Sequence, residues 1–192
     1  MKKIATLGIV AVAGFSLAAC GNSEASKSSS KSSPAKIAKP TPKKINKNMS
    51  KVGVAQYKIN SVLSEKITNK ESNYTDAENN LSDLKQLNHS YYRVTINYQL
   101  KNTGDKPLDM SYQNTSVIDD NGQDYTMEGN SGGFCLDEGA GGSSIQPGSS
   151  TSSSFILISN HKIPANDFKL NVGDQVDHDG NTIATGGTAT FQ

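Results

Sequence analysis

The sequence predicts an all-β chain: an antiparallel β-sandwich with one short helical insert, preceded by a cleaved signal peptide and a disordered linker. Three observations lead there. Tyr91–Lys101, "YYRVTINYQLK", alternates apolar and polar residues with a period of two, the mark of a strand buried on one face. Other short β-branched and aromatic runs recur along the chain, divided by Gly, Asn, Asp and Pro turn chemistry. Ahead of them, residues 21–51 lack the apolar pattern a folded core needs, and residues 1–20 read as an export signal.

The first twenty residues, "MKKIATLGIVAVAGFSLAAC", place two lysines before an apolar run and end it in small residues and a cysteine. That is the grammar of an export signal. The run from Ile4 to Ala19 is shorter than the ~20 residues of a membrane span and is broken by Gly8, Gly14 and Ser16. Leu17-Ala18-Ala19-Cys20 resembles the bacterial lipobox, which implies a signal peptide over 1–19 and a diacylglyceryl group on the Cys20 thiol. Two acyl chains hold a protein at a bilayer where one is marginal, at ~0.8 kcal/mol per buried methylene. The expected location is the outer face of the cell membrane.

Residues 20–51 read as a lipidated cysteine followed by a disordered tether. From Gly21 to Lys51 there are eight serines, eight lysines and three prolines, with Ile37, Ile45 and Met49 the only large apolar side chains. Such a stretch buries too little to offset the entropy of ordering it. As a coil its ends would average ~30 Å apart, and fully extended it would reach ~100 Å. Its eight lysines against Glu24 give +7, whereas residues 52–192 carry nine basic against seventeen acidic side chains, giving −8. Two readings of the lysines stand side by side: attraction to anionic lipid heads or phosphate-bearing wall polymers, and simple solubility of a low-complexity linker. The acidic domain argues against a nucleic-acid partner.

Residues 52–192 suit one domain. Ala55, Tyr57 and Ile59 alternate with Gln56, Lys58 and Asn60 in a first strand. Thr75-Asp76-Ala77-Glu78 has capping-box spacing, and Leu81, Leu84 and Leu87 follow at helical separation, which predicts a short helix. Tyr91–Lys101 then places Tyr92, Val94, Ile96, Tyr98 and Leu100 on one face, before the turn residues Asn102-Thr103-Gly104-Asp105. Ser116-Val117-Ile118 and Gln123-Asp124-Tyr125 flank Asp120-Asn121-Gly122 as a hairpin. Pro147-Gly148 precedes "SSFILIS" at Ser153–Ser159, whose continuous apolar centre predicts a strand covered on both faces. Phe168–Val172 and Thr188–Gln192 complete the set.

The succession "YYRVTINYQLKNTGDKPLD", "SVIDDNGQDYTM" and "IQPGSSTSSSFIL" resembles a family of uncharacterised immunoglobulin-like domains on Gram-positive lipoproteins, related in fold to a mycobacterial secreted immunogenic protein. The matching positions are Asn102 and Gly104, then Asp119, Gly122 and Tyr125, then Pro147, Gly148 and Phe155, within residues 52–160. The insert at 75–87 departs from the family pattern. The resemblance implies an immunoglobulin-like fold and a surface location, and it implies no chemistry.

Candidates for chemistry are few. Gly129-Asn130-Ser131-Gly132-Gly133 resembles the nucleophile loop of chymotrypsin-like proteases, so a cell-envelope hydrolase using Ser131 is the alternative function. His89 is the only histidine before Ser131, and their separation is too short for two barrels to form between them. With Cys20 committed to lipid, Cys135 has no partner in the mature chain and reads as a small buried hydrophobe rather than a reactive thiol. The aspartates at 119–124 and 174–180 offer oxygens near glycines but lack calcium-loop spacing, and read as turns. His89, His161 and His178 show no zinc spacing, so no metal and no cofactor is expected. Phe134 and Leu136, within the glycine-rich Glu128–Gly142, mark either an interaction loop or a plug on the core, the plug being the commoner role. Together these features predict a non-enzymatic interaction or accessory module with an extracellular partner of unspecified kind.

Overall fold

The computed structural model describes residues 39–68, 87–111, 114–129, 133–139, 142 and 144–192. Among them there is no helix, and eleven strands are present. They are β1 (Lys43–Asn48), β2 (Ala55–Ile67), β3 (Tyr91–Asn102), β4 (Thr115–Ile118), β5 (Asp124–Tyr125), β6 (Phe134–Asp137), β7 (Ser150–Ser159), β8 (Lys169–Val172), β9 (Gln175–Val176), β10 (Thr182–Ala184) and β11 (Gly187–Ala189). One sheet has the order β1-β2-β3-β7-β6, a second β11-β8-β4-β5, and β9 and β10 form a separate pair. Every pairing is antiparallel.

The two larger sheets share one core. Tyr57, Ile59, Val94, Ile96, Tyr98, Leu100, Phe155 and Leu157 come from the first, and Val117, Tyr125, Leu170, Val172 and Ala189 from the second. Alternation in β3 serves this geometry: Val94, Ile96, Tyr98 and Leu100 are buried, while the residues between them are half-buried or exposed. At the centre Tyr98 stacks on Phe155 with ring centroids 4.5 Å apart, and Tyr57 meets Tyr98 edge-on at 5.4 Å. Such pairs contribute about 0.5–1.5 kcal/mol each beyond the area they bury. The phenol of Tyr98 donates to Asp137 Oδ1 at 2.6 Å, which removes the penalty of burying an unpaired hydroxyl.

β7 is covered on both faces, for a reason visible in its register. Phe155 and Leu157 face the shared core, whereas Ile156 and Ile158 join Ile67, Leu87, Tyr91 and Phe134 in a second apolar cluster on the opposite face. Arg93 and Glu65 also lie on that outer face, paired at 3.1 Å across β3 and β2.

The motif residues close turns. Asn102 is fully buried; its Oδ1 accepts from Gly104 N at 2.9 Å while its Nδ2 donates to the carbonyls of Lys106 and Ile145 at 2.7 and 2.8 Å. Asp119 Oδ1 accepts from the backbone of Asn121 and Gln123 at 2.9 and 3.0 Å, closing the β4–β5 hairpin, where Gly122 takes φ of 83°.

Two expectations need correction or delimitation. The tether assigned to residues 20–51 contains structure at its C-terminal end: β1 pairs with β2 along the sheet edge, and Met49 is fully buried. The folded domain therefore starts before Lys43, not at residue 52. Positive φ at Asn46 (51°) coincides with a register shift between Lys44 and Lys47, so a bulge breaks the two-residue period that would have revealed the strand. Its lysines suit an edge strand, whose open hydrogen-bonding side must not recruit another chain. The helix read over 75–87 lies outside the described residues except for Leu87, which is irregular and buried against the outer cluster. The signal peptide and Cys20 also lie outside them.

Candidate functional site

Phe134 and Leu136 sit in strand β6, not in a loop. Phe134 is 6 % exposed within the outer cluster, and the half-buried Leu136 packs against the same cluster. Glycines around them suggested a loop because their packing role leaves no trace in composition. A Cβ on Gly129 would stand 2.2 Å from the Phe134 ring, and Gly129 takes φ of 74°, so glycine is required for the ring to seat. The geometry gives Phe134 the role of a packing residue.

Ser131 lies outside the described residues, and His89 is exposed just ahead of β3. Cys135 is fully buried, and burial, reinforced by Asp137 and Asp124, pushes its thiol well above the ordinary range. A thiol so protonated is a weak nucleophile. Asp119 and Asp177 are engaged by their own turns, Tyr125 donating to Asp119 Oδ2 at 3.3 Å and Asp177 Oδ1 accepting from the backbone of Asp179 and Asn181 at 3.1 and 2.9 Å, whereas Asp120 and Asp174 accept from the more distant amides of Asp167 and Gly186 at 2.9 and 2.7 Å. His178 Nδ1 lies 3.2 Å from Asp109 Oδ2, while His161 is exposed in the connection after β7.

Asp137 is a buried carboxyl. Burial raises its pKa, Glu138 adds to the rise, and the bonds from Tyr98 and from Gly139 N at 2.9 Å oppose it. Its Oδ2 is buried without a hydrogen-bond partner.

An open groove lies elsewhere, on the long strands. β2 and β3, at thirteen and twelve residues, outreach the four-residue strands β4 and β8 of the facing sheet. Their core-facing rows therefore continue past the last buried residues. Val62 pairs with Ile96, Ser64 with Val94, and Lys66 with Tyr92, so Ser64, Lys66 and Tyr92 share the inner face beyond Val62 and Val94. Lys43 pairs with Val62 from β1 and takes the same face. The segment 162–166, between β7 and β8, supplies the opposite wall, anchored by buried Ile163.

The resulting groove measures about 490 Å³. Lys66 Nζ stands 5.9 Å from the centroid of the Tyr92 ring, within cation–π range. Lys43, Lys66 and Lys162 bring positive charge, Thr41, Ser64 and Asn166 bring hydrogen-bonding groups, and Pro164 and Ala165 bring apolar surface. Glu65 and Arg93 border it through the strands, but their side chains pair on the far face. The arrangement is suited to holding an extended anionic molecule against an apolar wall.

The chain is thus an all-β protein built of antiparallel sheets about a common core, with a basic groove at one end. Its structural neighbours include uncharacterised bacterial proteins. A conserved hypothetical protein from Bacillus anthracis is 11% identical, with a TM-score of 0.41 over 71% of this chain and 94% of the other. A functionally unknown protein from Listeria monocytogenes EGD-e is 11% identical, with a TM-score of 0.40 over 66% and 70%. An uncharacterised β-sandwich protein from Clostridium difficile 630 is 16% identical, with a TM-score of 0.35 over 79% and 98%. No protein-family model matches the sequence, and no curated protein is similar enough to match.

Proposed function

We propose that the chain is a bacterial surface lipoprotein, held on the extracellular face of the cell membrane by a diacylglyceryl group on Cys20, whose immunoglobulin-like domain is a non-enzymatic interaction or accessory module. The anchor rests on "LAAC" at the end of an apolar export run. The immunoglobulin-like assignment is supported by two antiparallel sheets around one core and by the structural roles of Asn102, Asp119 and Gly122 in their turns.

The observation that carries the binding role is the groove. Its cations, hydroxyl groups and aromatic wall are recognition chemistry; Lys43, Ser64, Lys66 and Tyr92 stand on the inner faces of strands, and the segment 162–166 faces them, anchored by buried Ile163. Cys20→Ala tests the anchor: the variant should leave the detergent phase and the membrane fraction for the aqueous phase. Retention in the membrane after a high-salt wash would contradict it.

A further inference from the structure

The groove is opposite in sign to the domain that bears it. Residues 43–192 hold seventeen acidic against thirteen basic side chains, yet the side chains that face the groove include three lysines. Lys43, Lys66 and Lys162 come from β1, β2 and the segment after β7, three separate pieces of chain brought to one cleft. The one carboxylate among the lining residues, Glu65, is turned to the far face and held by Arg93 at 3.1 Å. Like charges gathered in this way repel one another, and an anion in the cleft relieves that repulsion.

We infer that the groove binds a phosphodiester-linked polyol, the repeating chemistry of an anionic wall polymer. Three features select this chemistry. Lysine ammonium groups are point charges that follow a flexible chain of diesters, whereas a single fixed phosphate favours the planar fork of arginine. The groove is open, so a polymer threads it without presenting an end. Its wall of Tyr92, Pro164 and Ala165 suits the carbon backbone of a polyol, while Ser64 and Asn166 suit its hydroxyls. The inference rests on the surface-lipoprotein reading for where such a polymer would be met, but binding itself is a property of the purified chain.

The test is titration of the purified full-length protein, in detergent at low ionic strength, with poly(glycerol phosphate). Lys66→Ala/Lys162→Ala is compared with Lys101→Ala/Lys169→Ala, which removes the same charge from exposed strand positions elsewhere. Each groove lysine contributes about fivefold, so the groove variant should bind about 30-fold more weakly. The control variant should match the parent, and both should unfold at the parent's denaturant midpoint. No binding by the parent, or an equal loss in the control, overturns the inference. Phosphatidylglycerol vesicles, tested against protein carrying Cys20→Ala, share the diester: tighter binding there through Lys66 and Lys162 would also overturn it and assign the groove to a lipid surface. Loss of polymer binding with Cys20-dependent localisation intact sinks this inference alone. Binding by a chain that localises independently of Cys20 sinks the anchor alone.

Discussion

Phe134→Ala and Gly129→Ala form a pair whose coupling follows from the structure. Phe134, 6 % exposed, fills the outer cluster beside Ile158, the residue it pairs with across β6 and β7. Truncating a buried phenylalanine costs about 3–5 kcal/mol, and the strand position makes collapse of the vacated space difficult, so the upper half of that range is expected. Gly129→Ala alone meets two obstacles: a Cβ 2.2 Å from the ring, and φ of 74°. Overpacking of this kind costs about 1–3 kcal/mol and the backbone strain about 1 kcal/mol. With the ring removed only the backbone strain remains, so the double variant should be about 1–3 kcal/mol more stable than the sum of the single effects predicts. Urea denaturation of the four proteins measures the cycle. Strict additivity would refute the packing of ring against glycine. A Phe134→Ala cost below about 1 kcal/mol, with envelope-partner capture falling instead, would return Phe134 to the role of a binding anchor.

Three further outcomes are expected. Asn102→Ala strands Gly104 N and the Lys106 carbonyl, and should destabilise the domain by about 2–3 kcal/mol in chemical denaturation; a loss within experimental error would deny its turn-closing role. Asp137 has a folded-state pKa raised above the unfolded value of about 3.9, so the native state holds its proton longer and its contribution to stability, complete at low pH, is lost as pH rises through the folded pKa. Asp137→Asn should flatten that fall in melting temperatures taken at pH 4 and pH 7, and an unchanged difference would count against burial as the cause. Deleting residues 1–51 should cost more than about 2 kcal/mol relative to deleting 1–38, because it removes β1 and fully buried Met49, and equal stability would restore the shorter domain.

What was legible in the sequence depended on how local its cause was. The period of β3 and the apolar centre of β7 state their burial residue by residue, and the Asp119 and Asn102 turns are closed by bonds within five residues of each motif aspartate or asparagine, save the tie from Asn102 to Ile145. β1 was concealed because a bulge at Asn46 broke the period while lysines supplied the composition of a tether. The glycines around Phe134 leave both loop and plug legible in the sequence, because Gly129 is demanded by a neighbouring ring rather than by a turn alone. The groove left no linear signal: Lys43, Lys66, Tyr92 and Lys162 meet only because two long strands overhang a shorter sheet.

Hydrogen–deuterium exchange of the full-length protein with and without poly(glycerol phosphate) tests most directly whether that overhang is the working surface. Protection should concentrate at Lys66, at Tyr92 and in the segment 162–166, and should disappear in Lys66→Ala/Lys162→Ala. Protection centred instead on β6 and the outer cluster around Phe134, or none anywhere, would contradict a binding module built on the basic groove.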